Sequence, residues 1–132
     1  MLGFLFRKED EPQFDMNKAD TEYVRNASFA VGALFQSKWR IQILCALRSR
    51  PVRLGQLKRL IPEASKKMLA QNLRTLEADG LVLRHVHPVV PPQVDYCLTE
   101  RGQELVALLL PLVGWAAANA NAVSVEAGSP ID

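Results

Sequence analysis

The chain has 132 residues, 48% of them apolar and 23% charged, which suits one compact domain with an ordinary core. A formal net charge of +2 excludes any argument from overall basicity, yet residues 36–85 carry eleven Lys/Arg against three Asp/Glu while both flanks are net acidic. That central block either presents a positive surface to phosphates or is a solvated basic face. Two cysteines, Cys45 and Cys97, with no Cys-x-x-Cys spacing, argue against a disulfide framework or a thiolate metal site and suit a reducing cytoplasm. The apolar start Met1–Phe6 is short and runs directly into charge, unlike a signal peptide. The longest other apolar run, Leu105–Ala118, falls short of the roughly 20 residues that span a bilayer, so no membrane partner is expected.

Residues 1–19 lack any period and read as a flexible arm, and 119–132 read as a flexible tail. Asp20 or Thr21 can cap a first helix to Phe35, with Tyr23, Val24, Ala27, Val31, Leu34 and Phe35 at helical spacing. A second helix from Ser37 to about Leu47 carries Trp39, Ile43, Leu44 and Leu47 on one stripe, and Pro51 closes it. Leu54, Leu57, Leu60 and Ile61 mark a short helix stopped by Pro62. Ser65 then caps a longer helix that ends at Asp79, with Gly80 placed where a left-handed residue is needed. Short helix, tight turn and longer helix make a helix-turn-helix.

Beyond Gly80 the period changes to two. Leu81–His87 reads as a strand, Pro88, Pro91 and Pro92 stiffen a loop, and Gln93–Leu98 returns as a second strand. Thr99 caps a last helix through about Ala118, apolar at Leu105, Leu108, Leu109, Leu112, Val113 and Trp115, with a kink expected at Pro111. The whole is a mainly helical fold with a small β-hairpin wing over residues 20–118, a winged helix-turn-helix.

The helix after Ser65 buries Leu69, Leu73 and Leu76 on one stripe and presents Lys67, Gln71 and Arg74 on the other, with Ala70 between them. Arg pairs with guanine through two bonds, Gln does so with adenine, and Ala touches a thymine methyl. Ser65, Lys66 and Lys67 suit phosphates at the helix start. Arg84, His85 and His87 on the hairpin, with Arg53, are expected at the flanking backbone or minor groove. Any amphipathic helix has a polar face, so this pattern gains its force from the order of elements around it.

In its run from Phe35 to Trp115 the sequence resembles the HxlR-type winged helix-turn-helix regulators of bacteria. The resemblance rests on Lys38-Trp39, Arg53-Leu54-Gly55-Gln56-Leu57, Ile61-Pro62-Glu63-Ala64-Ser65-Lys66-Lys67-Met68-Leu69, Leu73 to Val82, and Val90-Pro91-Pro92-Gln93-Val94-Asp95-Tyr96. It implies a transcriptional regulator that places two recognition helices on a palindromic operator as a homodimer. The dimer would be joined by the first and last helices, through Tyr23, Val24, Ala27, Val31, Leu105, Leu108, Leu109, Leu112 and Trp115. Some relatives sense oxidants through a first-helix cysteine; this chain has Val24, Arg25 and Asn26 there. Relatives often carry a basic residue after the paired prolines, where this chain has Gln93.

Cys45, among apolar neighbours, reads as a small core residue, and Cys97 as more reachable. His85 and His87 share one strand face, with Cys97 the third ligand the sequence suggests, so no metal site is expected. No nucleophile–base pair, Gly-rich phosphate loop or metal triad is evident, and neither an enzyme nor a cofactor is expected. A winged helix that binds protein instead of DNA is the alternative, and it would have little need for Lys66, Lys67, Gln71 and Arg74 together.

Overall fold

A computed structural model describes residues 21–121. In chain order it contains α1 (Thr21–Leu34), α2 (Lys38–Ala46), α3 (Leu54–Leu60), α4 (Lys66–Ala78), β1 (Val82–His87), β2 (Gln93–Leu98) and α5 (Glu100–Ala118). Local chemistry sets most of the boundaries. The Ser37 hydroxyl accepts from the Trp39 amide, Ser65 from Met68 and Thr99 from Gly102, so α2, α4 and α5 each begin on a hydroxyl cap. The expected Asp20 cap lies outside the described residues. Gly80, at φ +76, ends α4 in the left-handed region, where a Cβ is strained.

The core is a single cluster formed where α2, α3, α4, β1 and the first half of α5 meet. Ile43 and Leu44 of α2, Leu57 of α3, and Leu69, Leu73 and Leu76 of α4 are almost completely buried, with Val52, Val82, Leu98, Val106 and Leu109 around them. Val52 exchanges both backbone hydrogen bonds with Tyr96, so the segment before α3 lies against the wing as a one-residue third strand. Asn72 is the buried polar residue of this cluster; its amide donates to the Met68 carbonyl at 2.8 Å, which satisfies it within its own helix.

Two elements depart from this closure. α1 contributes no buried residue, and Tyr23, Phe29, Val31 and Phe35 are exposed. α5 buries Gly102, Val106 and Leu109, but Leu110, Leu112, Val113 and Trp115 beyond them are exposed. α5 runs through Pro111, whose missing N–H leaves the Ala107 carbonyl without its usual helical donor. Its first turn comes so close to the chain that a Cβ on Gly102 would sit 2.1 Å from the Leu81 carbonyl oxygen. Among the described residues, no helix is long and apolar enough to cross a membrane.

Candidate nucleic-acid interface

The helix-turn-helix is α3, the turn 61–65 and α4. Its turn is held by a lysine. Lys58 Nζ donates to the Pro62 carbonyl at 2.7 Å and to the Ala64 carbonyl at 2.9 Å, so a side chain of α3 satisfies two acceptors of the turn that follows it. Lys58 therefore belongs to the architecture of the motif, although it sits in the basic block of the sequence. Ala64, buried against the core, and the Ser65 cap then fix the direction in which α4 starts.

With Leu69, Leu73 and Leu76 turned inward, α4 presents Ser65, Lys66, Lys67, Gln71 and Arg74 to solvent, and Ala70 is half-buried between the faces. Among the described residues, the side chains of Lys66, Lys67, Gln71 and Arg74 make no hydrogen bond or ion pair, although the Gln71 carbonyl accepts from the Thr75 hydroxyl at 3.2 Å. The first turn of α4 holds no acidic residue, so its exposed amides and two lysines reinforce one another as an anion-favouring end. Met68, expected beside the buried stripe, is 40% exposed and lies on the rim of this surface.

The wing divides the residues that the sequence grouped. β1 and β2 pair antiparallel with Arg84 opposite Tyr96, His85 opposite Asp95 and His87 opposite Gln93. Side chains alternate across a strand, so Arg84 shares the face of Tyr96 and Val94, whereas His85 and His87 share the other with Asp95 and Gln93. One patch made of Arg84, His85 and His87 is therefore not what the hairpin builds. Nor is His87 unengaged: its Nε2 lies 2.6 Å from Asp95 Oδ2. Arg53 is drawn to the same carboxylate, its Nε 3.6 Å from Oδ1, and its other end donates to Gln93 Oε1 at 2.6 Å. The hydrogen bond from His87, with the added attraction of Arg53, holds the Asp95 carboxyl below the usual carboxylate range. Gln93, which is itself uncharged, is thus paired with a basic side chain from the N-terminus of α3.

Other expectations are corrected by burial. Leu109, placed on the dimer-forming face, is 4% exposed and packs in the core. Leu105 is half-buried against that core and Val24 is half-buried, while Tyr23, Ala27, Val31, Leu108, Leu112 and Trp115 are exposed. The third group beside His85 and His87 is Asp95 and not Cys97, which pairs with Leu83 one rung further along the same face. Cys45 is half-buried, and burial pushes its thiol up, as expected of an inert thiol. Lys58, Asp95, Thr99 and Gly102 all position this surface without having been singled out as functional. Two of them carried local hints: Thr99 as a helix cap, and Gly102 as a glycine in the first turn of a helix, where its low propensity needs a reason.

The HxlR-like helix-turn-helix family model matches residues 34–124. An HTH-type transcriptional regulator of Methanothermobacter thermautotrophicus is 40% identical over 96 residues, covering 73% of this chain and 72% of its own length. The regulator YtcD of Bacillus subtilis is 46% identical over 86 residues, covering 65% of this chain and 68% of its own. A solved structure of a ytcD regulator superposes with a TM-score of 0.66 at 41% identity, over 71% of this chain and 96% of that one. The reduced form of the redox regulator HypR superposes with a TM-score of 0.68 at 32% identity, over 74% of this chain and 95% of that one. The winged fold, the helix-turn-helix with its open polar face and these similarities agree, and the chain belongs to the HxlR-like family of helix-turn-helix transcriptional regulators.

Proposed function

We propose that the protein is a sequence-specific DNA-binding regulator that acts in the cytoplasm as a homodimer, with α4 of each protomer in the major groove of one half of a palindromic operator. The observation that carries this reading is the exposed face of α4, where the side chains of Lys67, Gln71 and Arg74 have no partner among the described residues while the opposite face is locked into the core. Arg74 and Gln71 read base edges, Ala70 offers a methyl contact, and Ser65, Lys66 and Lys67 hold phosphates. On the flank, Arg84 and the exposed His85 are the available wing groups. Arg53 and His87 reach phosphate only by giving up Asp95.

The dimer would use the two surfaces that the protomer leaves uncovered, α1 and the distal turns of α5. Beside α1, an open cavity of about 720 Å³ lies against the first half of α5, lined by Val31, Leu34, Leu81, Leu105 and Leu108 with Arg101 and Glu104 at its polar edge, and it offers a recess to apolar side chains of a second copy. Domain organisation follows, with 20–118 as the regulator and its pairing helices, and 1–19 and 119–132 as arm and tail. Signal reception is not assigned to a first-helix thiol, because Val24, Arg25 and Asn26 stand there.

Selection of binding sites from random duplexes, followed by titration of the selected site at several salt concentrations, tests the reading. Arg74→Ala is expected to weaken the selected site by about 1–3 kcal/mol and to relax preference at one position of each half-site. Lys66→Ala is expected to weaken all duplexes alike and to reduce the slope of log K against log salt by about 1. Enrichment of no sequence, together with affinity no greater than for random polyanion, would favour the protein-binding alternative.

A further inference from the structure

We propose that the outward face of the wing is a binding site for a divalent ion of the zinc class, with His85, His87 and Asp95 as its three protein ligands. The backbone register puts them together: His85 and Asp95 are direct cross-strand partners, and His87 lies two residues along β1 on the same face. Their ligand atoms all lie within 4.8 Å of one another. The two imidazoles, the only histidines in the chain, are 4.5 Å apart at their centroids and inclined at 80°, edge to face.

Three features favour an ion over a merely polar surface. Two imidazoles with one carboxylate are a donor set that borderline transition ions prefer and that magnesium and calcium, which seek oxygen, do not. His87 Nε2 and Asp95 Oδ2 already stand 2.6 Å apart, facing each other as two ligand atoms of one ion do. An ion would stand between them, binding Nε2 of the neutral imidazole and the carboxylate oxygen, with the ring's one remaining proton on Nδ1. Bonds of about 2.0–2.2 Å would part this pair slightly and draw in His85, whose exposed ring can swing. Finally, Arg53 approaches the other carboxylate oxygen, Oδ1, at 3.6 Å, which orients the carboxylate from outside the site and leaves Oδ2 to the ion. The Arg53 charge opposes the ion and offsets part of the attraction of the carboxylate; the 53% exposure of its side chain moderates that repulsion without removing it. Water would complete the coordination, as in three-ligand sites that keep an open position.

The test is a zinc titration of the tag-free full-length protein against a chromophoric competing chelator, with DNA absent, so that it is independent of the operator reading. One zinc ion per chain at micromolar affinity or tighter is expected, with both imidazole ¹⁵N resonances shifting on addition. His85→Ala, His87→Ala and Asp95→Asn should each weaken binding at least about ten-fold, and the Cys45→Ser/Cys97→Ser double variant should bind as the wild type does. Magnesium should not compete. His85 is exposed, so its variant keeps the fold and decides the matter even if Asp95→Asn perturbs the wing. The proposal is overturned by saturation only in the millimolar range, by zinc affinity unchanged in His85→Ala, by loss of binding in the cysteine double variant, or by equal competition from magnesium.

Discussion

Between Lys38 and Leu109 the large apolar side chains mostly find partners inside the chain, whereas on α1 and on α5 beyond Leu109 they mostly do not. The open region is the richer of the two in apolar residues, and α5 beyond Leu109 carries no charged side chain. Leu109 and Leu112 sit three residues apart on one helix, yet one is 4% exposed and the other 48%. Apolar character therefore does not distinguish a residue that closes the protomer from one that stays exposed; the packing of neighbouring elements does. Scattered exposed apolar residues are ordinary; here they recur along two helices, which suits the pairing surface proposed above.

Charge at these two leucines gives the sharpest test of the contrast. Leu109→Glu places an unpaired carboxylate in the core and is expected to cost more than about 4 kcal/mol, enough to abolish the cooperative urea transition. Gly102→Ala comes next. A methyl group 2.1 Å from the Leu81 carbonyl oxygen forces α5 away from β1, with an expected loss of about 2–3 kcal/mol in the same titration. Leu112→Glu should leave protomer stability within about 0.5 kcal/mol while lowering the mass found by sedimentation from dimer to monomer. If Leu112→Glu unfolds the chain as Leu109→Glu does, the division of α5 into a closing half and a pairing half is wrong. The smallest effect concerns Cys45, in the closed region. Its thiol should alkylate at pH 8 at least about ten-fold more slowly than free cysteine, and at the free rate in urea.

What the sequence made legible was mostly local. Ser65, Gly80, Pro62 and Thr99 place the ends of α3, α4 and α5 because each acts on backbone groups within a few residues of itself. The buried stripe of α4 was equally readable, since Leu69, Leu73 and Leu76 alternate with charged residues. α5 resisted the same reasoning. Leu105, Val106, Leu108, Leu109, Leu110, Leu112 and Val113 surround the helix, so its period does not select a face, and Leu109 was assigned outward. The Asp95 cluster was hidden for another reason. Arg53 and Gln93 are 40 positions apart, and only the bridge of Val52 to Tyr96 brings the start of α3 to the wing. Alternation within β1 did reveal that His85 and His87 share a face, but their carboxylate partner depends on cross-strand register.

Thr99 gives the molecule a mechanical property. Its hydroxyl donates to the Gly80 carbonyl at 2.6 Å and accepts from the Gly102 amide at 3.0 Å, while its own amide donates to the Leu81 carbonyl at 3.0 Å. The residue that starts α5 thus grips the residues that finish α4, leaving almost no slack between them. A twist applied to the distal turns of α5 by a partner chain would be delivered to the end of the recognition helix much as a wrench turns a bolt, with the wing carried along on the same joint.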